Sequence, residues 1–295
     1  MYKILLLTDL SEASRHALNF AQALFDDTPA QFCLLHAFEA APTEGFTGTF
    51  WLAEQRQLAE AALRNFERMS AQSPEPLKPA YRTMVLLGDP INAVETVLAQ
   101  EYFDLVVVGA TGAGHTELFG SVATGMVRSA NTNVLVVPVS ALIRPVERVV
   151  LATDYRSVNG AESFGLLKEL VNRKAAHLTL LTIETLRRAD IGAAELSRQY
   201  VLKAFETTPI DTYSIHDDDV RHGIDTYLDT HLVDLFVLLP HHKRFFDLLL
   251  NNSLSRSMAY HPRVPLLTLY DSTTVLPTTA TSPSEIDDTP LVTYR

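Results

Sequence analysis

The feature that most constrains this chain is that it repeats itself. The run Ile4-Leu5-Leu6-Leu7-Thr8-Asp9 returns in character as Val149-Val150-Leu151-Ala152-Thr153-Asp154, 145 residues further on. The echo continues in order: Phe32-Cys33-Leu34-Leu35-His36-Ala37 is answered by Leu178-Thr179-Leu180-Leu181-Thr182-Ile183, and Phe103-Asp104-Leu105-Val106-Val107-Val108 by Val233-Asp234-Leu235-Phe236-Val237-Leu238. Self-similarity over such a span means one folding unit used twice. A length of 295 residues with 47% apolar content is enough for two cores of ordinary size. The expected division is a first domain over 1–141, a joint near Ser140 to Val146, and a second domain over 146–271. Beyond Tyr270 the chain turns to Ser, Thr, Pro and Asp, so residues 272–295 are expected to form a disordered tail with too little apolar surface to order itself.

Within each half, apolar runs alternate with stretches of helical period. Ala13, Ala17, Leu18, Ala21, Leu24 and Phe25 are spaced for one helix face, and a second face is expected from Leu52, Leu58, Ala62, Phe66 and Met69. A third helix, opened by Pro90 in its first turn, carries Ile91, Val94, Val97 and Leu98. The second half repeats the pattern with Phe164, Leu167, Leu170 and Val171, then with Leu196, Tyr200, Val201 and Ala204. Strands that are apolar throughout, instead of alternating, must be covered on both faces, as in a parallel sheet flanked by helices. The fold class is therefore α/β, with two doubly wound domains of about five parallel strands each. Each half ends in a Pro-containing apolar run, Asn133 to Pro138 and Val264 to Leu269, suited to pairing so that no apolar edge is left open.

Charge and composition narrow the functions. A net charge of −11 with no basic stripe argues against nucleic acid as a partner. The opening residues run straight into a strand pattern, and no apolar run approaches membrane-spanning length, which together place the chain in the cytoplasm and away from the membrane. The one cysteine, Cys33, lies within an apolar run and reads as a buried thiol.

In an open parallel sheet, ligands bind at the carboxyl ends of strands. Here Val106-Val107-Val108 runs into Gly109-Ala110-Thr111-Gly112-Ala113-Gly114, and Gly120-Ser121-Val122-Ala123 then opens a helix pattern. Glycines let backbone amides approach phosphate oxygens, and a helix N-terminus adds free N–H groups. Plain turn chemistry is the competing reading of the same glycines. The stretch from Gly114 to Ser121 lacks the lysine and spacing of a Walker A loop, and no G-x-G-x-x-G follows the first strand.

These residues resemble the universal stress protein family, which carries a G-x2-G-x9-G-[ST] signature after its fourth strand and an Asp at the end of its first. Leu7-Thr8-Asp9 looks like the family's opening, Leu34-Leu35-His36-Ala37 its second strand with Ala37 beside the base, and Gly88-Asp89-Pro90 its turn before the third helix. The resemblance spans about residues 2 to 140 and, weakly, 146 to 270. It implies a Rossmann-like, adenine nucleotide alpha hydrolase-like fold. The implied nucleotide site comprises Thr8, Asp9, Ala37, Val108, Gly109, Gly112, Gly120, Ser121, Val122 and Ala123. The implied ligand is ATP or a related adenine nucleotide, with or without Mg2+, and no protein-bound metal of its own.

Two departures stand out. Seven residues separate Gly112 from Gly120 where the family has nine, and the second-half counterpart, from His241-His242-Lys243-Arg244 to Asn252-Ser253, has lost its glycines although Asp154 and Ser253 remain. The second domain is therefore expected to have lost the site. His241, His242 and His261 read as a solvated polar loop in preference to a metal site, and Asp217-Asp218-Asp219 as an acidic helix N-terminus in preference to a calcium loop. Asp9 reads either as ligand group or as the first helix's N-cap. No catalytic residue is assigned. The leading expectation is an ATP-binding, ligand-dependent signalling module of stress response, with the two domains paired in one chain and an unidentified protein partner; homodimerisation stays open. The alternatives are a slow ATPase, with His115 and Glu117 the nearby titratable groups, and a nucleotide-free scaffold.

Overall fold

The computed structural model describes residues 1–39, 49–70, 79–110, 121–153, 155, 161–184, 191–239 and 264–270. The first half contributes strands β1 (Tyr2–Leu7), β2 (Ala30–Phe38), β3 (Ala80–Leu87), β4 (Leu105–Ala110) and β5 (Val134–Pro138). Its helices are α1 (Glu12–Leu24), α2 (Thr49–Ser70), α3 (Pro90–Gln100) and α4 (Ser121–Ser129). The second half contributes β6 (Arg148–Ala152), β7 (His177–Glu184), β8 (Ile210–His216), β9 (Leu235–Leu238) and β10 (Leu266–Thr268), with α5 (Gly165–Lys174), α6 (Ile191–Ala204) and α7 (Val220–Thr230).

All ten strands form one sheet in the order β3-β2-β1-β4-β5-β10-β9-β6-β7-β8. Within each half every pairing is parallel, as doubly apolar strands require. The halves meet at one antiparallel pair, β5 with β10, in which Val136 faces Leu266 and Val134 faces Thr268.

The alternation of strand side chains sorts the core into two layers. Ile4, Leu6, Phe32 and Leu34 share one face with α1, α2, α5 and α6; Leu5, Leu7, Cys33 and Leu35 share the other with α3, α4 and α7. Each layer runs without a break from one half into the other. Further ties cross between the halves: Lys174 Nζ reaches Asp26 at 2.5 Å, Arg173 pairs with Asp27, and the Arg173 guanidinium lies over the rings of Tyr2 and Phe25. The connection from β5 to β6 is pinned as well, since Ala141 is buried and its carbonyl oxygen lies 2.8 Å from His16 Nε2.

The expected face of α1 is the observed one, and so is that of α3. In α2 the expectation was rotated. Leu58 and Met69 are exposed, and Ala59, Leu63, Phe66 and Ser70 pack inward. The helix carries apolar residues on two stripes, and the inward one includes an alanine and a serine, whose hydroxyl donates to the Phe66 carbonyl at 2.9 Å. In α6, likewise, Val201 and Ala204 are buried while Tyr200 is exposed.

Candidate functional site

At the carboxyl end of β1 the chain leaves the sheet through a turn held by Thr8. Its N–H donates to the Leu35 carbonyl at 2.9 Å. Its Oγ1 accepts the Leu10 N–H at 2.9 Å and lies 2.8 Å from Ser14 Oγ, which donates in turn to the Ser11 carbonyl at 3.0 Å. Leu10 adopts a left-handed conformation at φ 65°, which the Thr8 bond stabilises. Ser11 then caps α1 by accepting the Ser14 N–H at 3.2 Å. Asp9 is therefore not the N-cap: it accepts the Ser11 N–H at 3.0 Å as an Asx turn and stands exposed at the mouth of the turn. Burial by itself raises its pKa, but the bonds from Ser11 and Ser14 outweigh that and hold the carboxyl below its ordinary value. It is thus an anion at neutral pH.

Gly109 in β4 lies directly under the start of α1. A Cβ there would sit 2.7 Å from the Ala13 carbonyl oxygen and 3.0 Å from the Ser14 nitrogen, so the missing side chain is what allows α1 to lie this close to the sheet. Around this approach a small cleft of about 120 Å3 opens, in whose wall Thr8, Asp9, Ala37, Val108, Gly109 and Val122 converge. Ser11, Ser14 and Pro90 join them, none of which the sequence analysis assigned to the site. The Ser11-x2-Ser14 spacing, which puts two hydroxyls on one turn behind a strand's last residue, was the available signal. Pro90 stands there because Asp89 caps α3 through the N–H groups of Ile91 and Asn92. Ala123 lies elsewhere, buried against the sheet. Ser121 opens α4, and its side chain lies outside the described residues, as do Gly112, His115, Glu117 and Gly120.

The second half rebuilds the turn and carries larger side chains at two of its small positions. Thr153 donates to the Leu181 carbonyl at 3.0 Å, its Oγ1 accepts the Tyr155 N–H at 3.1 Å, and Tyr155 is left-handed at φ 56°. These are the Thr8 and Leu10 bonds over again. At the place of Ala37, however, stands Ile183, which packs tightly on α7: a Cβ on Gly223 would lie 2.9 Å from the Ile183 Cδ1. At the place of Gly109 stands Leu239. Two small residues that leave room in the first half are two branched ones in the second. Asp219 caps α7, so the triple-aspartate run is the expected acidic helix start. Asp154, His241, His242, Lys243, Arg244, Asn252, Ser253 and His261 lie outside the described residues.

The described residues contain no group of three or more His, Cys, Asp or Glu able to hold a metal ion, and no helix among them is long and apolar enough to cross a membrane. Cys33 is buried, and burial raises its thiol pKa against the pull of Arg82.

The Rossmann-like arrangement of parallel strands flanked by helices is an architecture shared with solved universal stress proteins. One from Archaeoglobus fulgidus superposes with a TM-score of 0.64 at 17% identity, over 90% of this chain and 97% of its own. A putative universal stress protein from Pseudomonas aeruginosa gives 0.52 at 12% identity, over 91% and 93%. A universal stress protein solved in complex with cAMP covers 46% of this chain and 95% of its own, at 22% identity and a TM-score of 0.34. No curated protein matches. The model of the universal stress protein family matches residues 1–138, and this N-terminal half belongs to that family.

Proposed function

We propose that this chain is a tandem universal stress protein whose N-terminal domain, residues 1–141, binds ATP or a related adenine nucleotide, and whose second domain, 146–271, has given up that site. The observation that carries the proposal is the contrast between the two halves: the same threonine-held turn stands beside Ala37 and Gly109 in one and beside Ile183 and Leu239 in the other. The family match over residues 1–138 supports the reading. Ala37 and Val108 would flank the base, Asp9 the ribose, and Gly112, Gly120 and Ser121 the phosphates, with Mg2+ as their counter-ion. Binding would act by population shift, the occupied state of the segment from 109 to 124 being read by a protein partner. With a net charge of −11 that partner is not nucleic acid, and a buried unpaired cysteine suits the cytoplasm.

Ala37→Ile transplants the second half's residue into the first. Calorimetric titration with ATP and Mg2+ is expected to give saturable heat with the native chain and none with the variant, while both melt alike. Equal affinity in the two would refute this assignment of the cleft.

One observation favours the scaffold reading. Thr8 has its hydroxyl committed to the turn and Gly109 its missing side chain to α1, so both have structural duties without any ligand. Absence of nucleotide binding by the native protein would select that reading.

A further inference from the structure

Two strands end the sheet, β3 on one side and β8 on the other, and β8 is the barer of the two. Asp211, Thr212, Tyr213 and Ser214 are exposed in succession, so side chains on both faces of β8 meet solvent. The repeat shows that the halves differ here. Leu35 pairs with Met84 and its counterpart Leu181 with Tyr213, which puts Ser214 where β3 has Val85. Val85 is buried in the core layer that α2 covers, whereas Ser214 is exposed.

Proteins commonly guard an open edge with lysine, proline or a bulge. β8 has none of the three: it contains no Lys, Arg or Pro, and its register with β7 runs unbroken from Ile210 to His216. Its two chargeable side chains are tied back to β7, Asp211 to His177 at 3.1 Å and His216 to Glu184 at 2.8 Å. The Asp217 N–H donates to the Glu184 carbonyl at 3.1 Å and so extends the β7 ladder. By alternation Asp211, Tyr213 and Ile215 also spend their backbone groups on β7, and Thr212, Ser214 and His216 turn theirs outward. Tyr213 is 42% exposed, yet its ring is held edge-on, 5.1 Å from that of Tyr227 and 5.0 Å from that of His231.

We propose that this edge pairs with the same edge of a second copy of the chain, antiparallel about a two-fold axis through Tyr213. The strand is complementary to itself in that register. Thr212 and the partner's Ser214 exchange backbone hydrogen bonds on each side of the axis, and Tyr213 meets the partner's Tyr213 in the narrow pair between them. Asp211 faces the partner's Ile215 and His216 the partner's Ile210, so no like charges are opposed. Moving the axis to Ser214 would set Asp211 against the partner's Asp217, and moving it to Thr212 would leave Ile215 and His216 unpaired. The pair also closes on itself, whereas joining β8 to β3 of another copy would propagate as a filament. A ring already fixed by Tyr227 and His231 loses little freedom on pairing.

The test is sedimentation equilibrium of the full chain over a concentration series. Ser214→Lys sets a charge beside the axis, and Ser214→Pro removes an outward N–H while sparing the β7 ladder. Leu87→Lys, the control, sets the same charge at the exposed end of β3. The expected result is a monomer–dimer equilibrium whose dissociation constant rises tenfold or more in both Ser214 variants and is unchanged in the control. Tyr213→Cys checks the register, because a narrow pair brings the two Cα atoms within disulfide reach. With oxidised glutathione it should give a covalent dimer, and Leu232→Cys, at another exposed position, should not. A native chain that is monomeric throughout the series would overturn the proposal. So would a dimer indifferent to the Ser214 substitutions, one weakened equally by Leu87→Lys, assembly beyond two copies, or no covalent dimer from Tyr213→Cys.

Discussion

Gly109 and Asp234 show how much of this fold rests on single residues. Gly109→Ala would drive a methyl to within 2.7 Å of the Ala13 carbonyl, and backbone must shift to admit it. The expected cost is about 1–3 kcal/mol in urea unfolding, in the range of other overpacking substitutions. Asp234 is buried, and its carboxylate takes two backbone N–H groups besides two guanidiniums. Burial alone would raise its pKa; the donors outweigh it, so the folded value lies below the unfolded one. Its stabilisation is therefore present above the unfolded value of about 4 and lost as pH falls through the folded value. Asp234→Asn should be less stable than the native chain at pH 7, by less than the ~3–5 kcal/mol of a fully enclosed pair because both arginines are 38% exposed. The gap between the two should close in denaturation series taken to acid pH; a gap that persists there would contradict the pKa argument. Glycine clusters are visible in a sequence, but that Gly109 answers to α1 is not, because the contact joins residues far apart in the chain.

At the scale of elements, helix starts were legible where a side chain closes its own turn. Asp89 before Pro90 and Asp219 before Val220 are local devices, and both cap as such residues do. The first helix was harder, because Asp9 and Ser11 are both capping residues and only the geometry gives the cap to Ser11. Ser11→Ala is expected to cost about 1 kcal/mol, with Asp9→Ala costing less. Apolar strands announced themselves by composition, whereas the face of α2 did not, since two stripes of the helix carry apolar side chains and only tertiary contact chooses between them. Leu63 is fully buried while Leu58 is 58% exposed. Leu63→Ala should lose about 2–5 kcal/mol and Leu58→Ala within about 0.5 kcal/mol; comparable losses would mean that the helix is rotated from the register described.

For the whole molecule, the duplication was written in the order of the apolar runs, and the parallel sheet followed from their uniform composition. How the ten strands join was not, because β5 and β10 pair across 130 to 134 residues with only three register positions. The site was legible in part for the same reason. Ala37 and Ile183 stand at corresponding places in the repeat, yet the sequence alone does not tell that one lines a cleft and the other packs against Gly223 of α7. Since both core layers run across the seam, thermal unfolding of the full chain should be a single transition; two separated transitions would mean that the halves are independent. The central claim is that only one of the two repeats holds a nucleotide, and its most direct test is the stoichiometry of ATP bound at saturation, by equilibrium dialysis with Mg2+ present. One nucleotide per chain, reduced to none by Ala37→Ile, is the predicted result. Two per chain, or one that survives the substitution, would contradict it.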